Sequence, residues 1–463
     1  MNEQQGRKRP MPLAALLAAI AAISGFLIGY DTAVIAGALE FIAKDFAVGD
    51  VAQGAIVTAI LVGGLVGAVG GGPAARRLGQ RPTLMITAGI FAICALGSAR
   101  ATGPWDLGAW RFGLGLAVGA ATMVAPLYVA ETAPTRWRGA LVSAFQLAIT
   151  SGILVSYLVG LAFTDAGDWR MMLVLGAVPA VLLLAGLFFL PESPRWLVLA
   201  GREAEARKAW NQLSNQPWHE EDIAVIRRAA AEPHARFRDL FAPRLRAALI
   251  ITAGLFVFTN LSGIDAILYY APVIFRDVGV GGEMGPILAT AGLGAINVAA
   301  TVLAMWLVDR IGRRRLLLWG LAPMAISLLV MSFTLSLASQ RDIGGIAAVA
   351  CLAIFIVAFA VSLGPLPYVL MSELFPTAVR PLGMAVAAAT AWGVNAVVSI
   401  SFLPLATAIG VSGAFIVFGG VCAIAFLFVQ RLVPETKGRS LEQIERSLLA
   451  GRRTGVTTHA TAE

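Results

Sequence analysis

Three charged side chains stand inside runs that are otherwise apolar. Asp31 lies in GFLIGYDTAVIAG, Arg111 follows DLGAW and opens RFGLGLAVG, and Asp265 lies in TNLSGIDAILYY. An isolated carboxylate is strongly penalised away from water, so it is held protonated, paired, or turned towards an aqueous cavity. A guanidinium cannot readily lose its proton. Two readings of Asp31 and Arg111 follow. In one, Asp31 pairs with Arg111 in one conformation and accepts a proton in another. In the other, the two form a permanent neutral ion pair that holds their half of the chain together. His219, His234 and His459 all fall in polar segments, so proton coupling through histidine is not expected. Cys94, Cys351 and Cys422 lie in different apolar runs and imply neither a disulfide framework nor a metal cluster.

Amides and hydroxyls accompany these charges: Gln146, Ser151, Asn260, Ser262, Asn297 and Asn395. Singly, each can make an interhelical hydrogen bond of modest worth. Taken with Tyr269, Tyr270, Tyr368 and Trp392, they suit a different task. Amides and hydroxyls bind the OH groups of a neutral polyhydroxylated solute, and aromatic faces cover its C–H surface. A cavity for an inorganic anion or a nucleotide would show more fixed positive charge.

The elements that must position these residues follow from composition. Of 463 residues, 58% are hydrophobic and only 13% charged, and the mean hydropathy is +0.80. Soluble domains average about 25% charged residues, so too little polar surface is present here to face water on all sides. The apolar runs instead recur near the ~20 residues needed to cross a bilayer core, and the 49 glycines suit close helix–helix approach. Twelve spans are expected, at about 13–39, 51–71, 82–99, 106–129, 140–163, 169–189, 246–275, 285–308, 315–337, 344–370, 381–404 and 409–430. They divide the chain into a tail (1–12), a six-helix half (13–189), a polar helical linker (190–245), a second six-helix half (246–430) and a tail (431–463). The first run follows RKRP, lacks a cleavage site and carries Asp31, so it reads as a span and not a signal peptide.

The formal charge of +8 does not point to nucleic acid, because the basic residues fall in alternate connectors. Arg7, Lys8 and Arg9 precede span 1. Arg76, Arg77 and Arg81 follow span 2, Arg136 and Arg138 follow span 4, and Arg310, Arg313, Arg314 and Arg315 follow span 8. The positive-inside rule then places both termini and the linker in the cytoplasm, which an even number of spans satisfies. Motifs also recur six spans apart. ARRLGQRPTL matches VDRIGRRRLL, and YVAETAPTRWRG matches VLMSELFPTAVRPLG, as expected for duplicated halves around a central site that opens to alternate sides. Their charges, Arg81, Glu131, Arg138, Arg310, Glu373 and Arg380, join Glu192 and Arg195 of PESPRWL and Glu435 of PETKGRSLEQIE. Either they form a cytoplasmic gate that exchanges partners as the halves rock, or they anchor helix ends at the headgroups.

PESPRWL, PETKGRSLEQIE and GYDTAVIAG, at these places among twelve spans, resemble the sugar porter family of the major facilitator superfamily over about residues 13–445. The resemblance implies an all-α membrane protein with the major facilitator fold, twelve transmembrane helices in two six-helix bundles, and a monosaccharide or polyol as substrate. It implies that Asp31 is the aspartate of proton-coupled members and Arg111 its partner. Gln146 matches the sugar-binding glutamine of span 5, and Asn297 a substrate-contacting asparagine of span 8. Where the family has QQ-x-x-G-x-N, this chain has Thr259, Asn260 and, in place of the final asparagine, Asp265. Tyr368 of GPLPY replaces a tryptophan, while AWGVN keeps Trp392 and Asn395 but has Ala391 for an amide. Arg76 stands where the 2–3 connector usually carries an aspartate.

The expected protein is thus not an enzyme. It is a proton-coupled symporter of a bacterial inner membrane that imports a neutral polyhydroxylated solute by alternating access. Its partners are that solute, protons and the bilayer. It acts as a monomer, without metal, cofactor or nucleic acid. The alternatives are a uniporter, a proton-coupled exporter of a non-sugar organic solute, or a transporter-like sensor, which the short tails disfavour. Asp265 has four open readings: an acceptor for substrate hydroxyls, a site for a cationic group, a second titrating site beside Asp31, or a protonated mimic of the usual asparagine.

Overall fold

The computed structural model describes residues 11–132, 138–213, 223–224, 226, 237–242, 245–277, 280–281, 284–337, 341–375 and 379–437, all helical or turn, with no strand among them. The basic cluster Arg7, Lys8 and Arg9 and most of the carboxyl-terminal tail lie outside these residues, as do the side chains of Arg138 and Arg380.

Five long helices open the chain: α1 (Met11–Phe46), α2 (Asp50–Leu78), α3 (Gln80–Ala99), α4 (Pro104–Thr132) and α5 (Arg138–Phe163). Span 6 is interrupted, as α6 (Trp169–Val174) and α7 (Ala177–Phe188). After α8 (Pro194–Leu199), α9 (Glu203–Leu213) and a 3-10 turn (Phe237–Phe241), span 7 runs as α10 (Arg246–Leu261) and α11 (Ile264–Asp277), broken at Ser262 and Gly263. Spans 8 and 9 are α12 (Gly285–Ile311) and α13 (Arg313–Leu337). Span 10 divides into α14 (Arg341–Val361) and α15 (Leu366–Leu374), around a turn carrying Gly364 and Pro365.

The last helical stretch, α16 (Arg380–Leu432), has 53 residues. At 1.5 Å per residue it would be roughly 80 Å long, far beyond a core of about 30 Å. Gly410, at φ 75 and ψ 161, breaks it. A side chain there would be strained, so glycine is what lets spans 11 and 12 follow one another with almost no connector.

The first half is welded through α2 against α4 and α1 against α5. A Cβ at Gly115 or Gly119 would collide with the carbonyl oxygens of Ile60 or Gly64, so these backbones touch directly, as small residues permit in membranes. Large apolar side chains such as Phe188, Trp319, Ile326 and Phe333 point outwards, where a bilayer rather than water accepts them. Between the halves, α2 packs against α16, α5 against α12 and α1 against α11. In the linker, Leu197, Val198, Ala206 and Ala209 make a small separate core, and Trp196 Nε1 donates to Arg76 O at 3.0 Å.

Candidate functional site: a polar centre and two helix-end networks

Asp31 and Arg111 are almost fully enclosed, at 4% and 1% exposure. Both line a small cavity of about 10 Å³, one water in size, together with Thr32, Val57, Tyr269 and Trp392. Arg111 Nε donates to Ile56 O at 3.0 Å. No ion pair within 4.0 Å joins the two charges, and Asp31 Oδ2 and Arg111 Nη1 are buried without a hydrogen-bond partner. The two charges are adjacent and within electrostatic reach, but not hydrogen-bonded to each other in this conformation.

Two of the lining residues come from the other half. Trp392, on the first part of α16, reaches across to α2, where a Cβ on Gly64 would meet its ring at 2.5 Å. Tyr269, on α11, receives a hydrogen bond from Asn395 Nδ2 at 3.2 Å. The same amide lies beside the carboxyl of Asp265, in the first turn of α11. Tyr368 packs edge-on against Phe256, is half exposed, and lies within electrostatic reach of Asp265. Asp31, Arg111, Tyr269, Trp392, Asn395, Asp265 and Tyr368 therefore form one neighbourhood.

Four other candidates lie on α5, α10 and α12. The Thr259 hydroxyl donates to Leu255 O at 2.8 Å and Asn260 Nδ2 to Phe256 O at 2.7 Å, so both satisfy their own helix. Gln146 is half-buried on α5 and Asn297 buried on α12, two helices that pack together across the interface.

The motif charges build two matching corners at the arginine-rich end of the bundle. In the first half, Glu192 accepts from the backbone N–H groups of Gln80, Arg81 and Ser193 at 3.2, 3.2 and 2.8 Å. It thereby neutralises the exposed donors at the start of α3, where a negative charge also suits the helix dipole. In the second half, Glu435 accepts from Arg313 N at 2.9 Å, at the start of α13, and from Thr436 N and Lys437 N at 3.1 Å each. Each carboxylate is admitted by a glycine in the left-handed region, Gly79 at φ 103 and Gly312 at φ 100. A Cβ on either would strike the glutamate.

Arg81 donates to Leu187 O and Phe188 O at 2.8 and 3.1 Å, and Arg314 to Gln430 O at 2.6 Å. These arginines cap the ends of spans 6 and 12. Glu131 accepts from Gln80 Nε2 at 2.7 Å and Ser193 Oγ at 2.6 Å. Its counterpart Glu373 accepts from Thr436 Oγ1 at 2.5 Å and pairs with Arg313 at 3.0 Å. Arg313, not Arg310, thus supplies the cation; Arg310 lies over the Trp306 ring at 3.8 Å, and Arg195 is exposed. Every one of these contacts stays within its own half. Burial pushes the Glu192 carboxyl up from the ordinary glutamate value, opposed by the three N–H donors and the Arg81 charge.

At the opposite end the halves are joined. Arg276 of α11 pairs with Glu40 of α1, which also holds Lys44 at 2.8 Å. Thr407 Oγ1 reaches Asp50 Oδ2 at 3.3 Å. In the middle, Tyr157 OH donates to Leu268 O at 2.9 Å. Sequence reasoning missed these bridges, and it missed the partners Gln80, Ser193, Arg313 and Thr436. The hydroxyl that follows each motif glutamate, in PES and PET, was the one available signal.

Twelve spans in two pseudo-equivalent halves, meeting around a buried acid–base pair and bridged by an ion pair at the end opposite the arginine-rich corners, define an alternating-access carrier. A family model described as "Sugar (and other) transporter" matches residues 17–448. The chain belongs to that family, the sugar porters of the major facilitator superfamily. It is 39% identical to the D-xylose transporter of Levilactobacillus brevis over 432 residues, covering 93% of this chain and 94% of that one. It is 38% identical over 437 residues to the galactose-proton symporter of Escherichia coli strain K12, covering 94% of each. The inward open structure of the xylose transporter XylE from E. coli superposes with a TM-score of 0.81 at 30% identity, covering 94% of this chain and 99% of that one.

Proposed function

We propose that this chain carries a monosaccharide or polyol together with protons into a bacterial cell by alternating access, with Asp31 as the proton carrier. The observation that carries this reading is the position of Asp31: enclosed, beside but not bonded to Arg111, in a cavity that both halves line. A buried carboxylate with a cation in reach has two stable states, paired or protonated. The shared cavity lets that choice act on the interface. Relatives that move xylose, or galactose with protons, support the substrate class and the coupling.

Taking the arginine-rich end as cytoplasmic, the bridges at the other end shut the outer path, and the conformation is inward-facing. The solute would lie between the halves, against Tyr368, Trp392, Asn395 and Asp265, with Gln146 and Asn297 closing from α5 and α12. Protonation of Asp31 from outside would accompany solute entry. Inward opening would release both as Asp31 regains Arg111.

In proteoliposomes offered D-xylose, D-glucose and D-galactose, the wild type is expected to accumulate at least one sugar against its gradient under a proton gradient. Asp31→Asn should abolish that accumulation while leaving sugar exchange within a few-fold of wild type. Undiminished proton-driven accumulation in Asp31→Asn would refute the assignment. Alkalinisation of the external medium on adding sugar separates symport from uniport and from export.

A further inference from the structure

Asp265 stands where the resemblance implies an amide. The residue is half-buried, yet its Oδ2 is cut off from solvent and has no hydrogen-bond partner. No cation among the described residues pairs with it. The groups that face it are Tyr269 on its own helix, Tyr368 on α15 and Asn395 on α16, with Asp31 and Arg111 beyond Tyr269. The charges of α10 and α12, at Arg246 and at Asp309 and Arg310, lie at the arginine-rich end, and the side chains of Asp309 and of Arg341 and Asp342 on α14 are outside the described residues.

From Asp265 a line of polar groups leads towards the Asp31–Arg111 cavity. Asn395 stands beside its carboxyl and donates onwards to the Tyr269 hydroxyl at 3.2 Å, and Tyr269 lines the Asp31–Arg111 cavity. Along this line four buried atoms have no partner: Asp265 Oδ2, Asn395 Oδ1, Asp31 Oδ2 and Arg111 Nη1. Unsatisfied polar atoms are rare in folded interiors. Four along one line leave this network free to adopt a second set of hydrogen bonds.

We propose that Asp265 is a second proton-carrying carboxyl, linked to Asp31 across the interface by Asn395 and Tyr269. An enclosed carboxylate with no cation in contact is costly to keep charged, so a proton is the simplest partner for it. Asn395 can present either its amide N–H groups or its carbonyl to the carboxyl, and Tyr269 can donate or accept. The pair can therefore turn over as Asp265 gains or loses its proton and report that change to the other half. Two protons would enter from outside, one on each carboxyl, and both would leave to the cytoplasm with the solute; no other bond changes.

The proposal rests on the proton-coupled reading of Asp31, and its test separates the two. Reconstituted wild type, Asp31→Asn, Asp265→Asn and Tyr269→Phe are titrated with pH, without sugar, and protonated carboxyl bands are followed by infrared difference spectroscopy. Reversal potentials, for whichever of D-xylose, D-glucose or D-galactose the wild type accumulates, give protons carried per sugar. The expected result is two titrating bands in the wild type, with one lost in each aspartate variant. The Asp31 midpoint should move when Asp265 is replaced. In Tyr269→Phe both bands should remain, and that dependence should shrink. The proton count should fall from two to one in Asp265→Asn. Both titrating bands persisting in Asp265→Asn, or an unmoved Asp31 midpoint with an unchanged proton count, would overturn the second carboxyl. Asp31→Asn losing no band would instead overturn the coupling reading itself.

Discussion

At the scale of single residues, Glu192 and Glu435 act as helix caps in this conformation. Glu192 holds the start of α3 through backbone donors and is partly desolvated, which raises its proton affinity above that of an exposed glutamate. An acid whose folded value lies above its unfolded value adds stability that is full below the unfolded value and fades as pH rises through the folded one. Glu192→Gln removes that titration but keeps an acceptor for the N–H groups. The stability of the wild type relative to the variant should therefore decline from acid towards neutral pH, as thermal unfolding in detergent would show. A flat difference would mean that the folded state does not bind this proton more tightly. Much of this was legible beforehand: PES and PET placed Glu192 and Glu435, and the apolar context singled out Asp31, Arg111 and Asp265. Their partners were not legible. Backbone N–H groups carry no sequence signal, which is why the glutamates read as gate charges. Spacing gives no sign of which arginine, Arg310 or Arg313, turns towards Glu373. That Thr259 and Asn260 donate to their own helix is not legible either, because hydroxyls and amides so bonded look the same in a sequence.

At the scale of elements, two glycines separate conformational strain from collision. Gly410 has φ 75 with open space where a Cβ would go, so Gly410→Ala carries backbone strain alone, about 1–2 kcal/mol. Gly312 has φ 100, and a Cβ there would lie 2.8 Å from Glu435 Oε2, displacing the carboxylate that caps α13. Gly312→Ala should lose a similar strain energy plus roughly 0.5–2 kcal/mol for the cap. Its melting temperature in detergent should fall further than that of Gly410→Ala, and equal losses would argue that Glu435 contributes little there. The count of twelve spans was readable from apolar run length. The breaks within spans 6, 7 and 10 were not, because an interrupted span keeps the same hydropathy. Those breaks matter for function: the one in span 7 sets Asp265 in the first turn of a new helix beside the centre, and Tyr269 one turn further along.

At the scale of the whole molecule, an ion pair bridges the halves at one end, whereas among the described residues the motif charges at the other end make their contacts within their own corner. The Glu40–Arg276 pair crosses the interface at the end opposite the arginine-rich corners, with Glu40 side-chain exposure of 30% and Arg276 of 47%. Ion pairs so exposed contribute at most about 1 kcal/mol, worth up to about a five-fold change in a two-state balance. Glu40→Gln should shift the resting population towards the outward-facing state by no more than that factor. The shift can be read from the labelling rate of a cysteine placed in the outer vestibule, and exchanging the two charges should reverse it; labelling unaltered by either change would show that the pair does not hold the path shut. Duplication was plain in the repeated motifs, yet the repeats are unequal where it counts. Gln80 gives Glu131 a neutral amide, whereas Arg313 gives Glu373 a full charge. Dissolved salt screens the second contact far more than the first. Ionic strength should then act as a one-sided tuning knob, loosening the corner in the carboxyl-terminal half while its partner stays firm, so that the two bundles of this carrier differ in stiffness according to the water they meet.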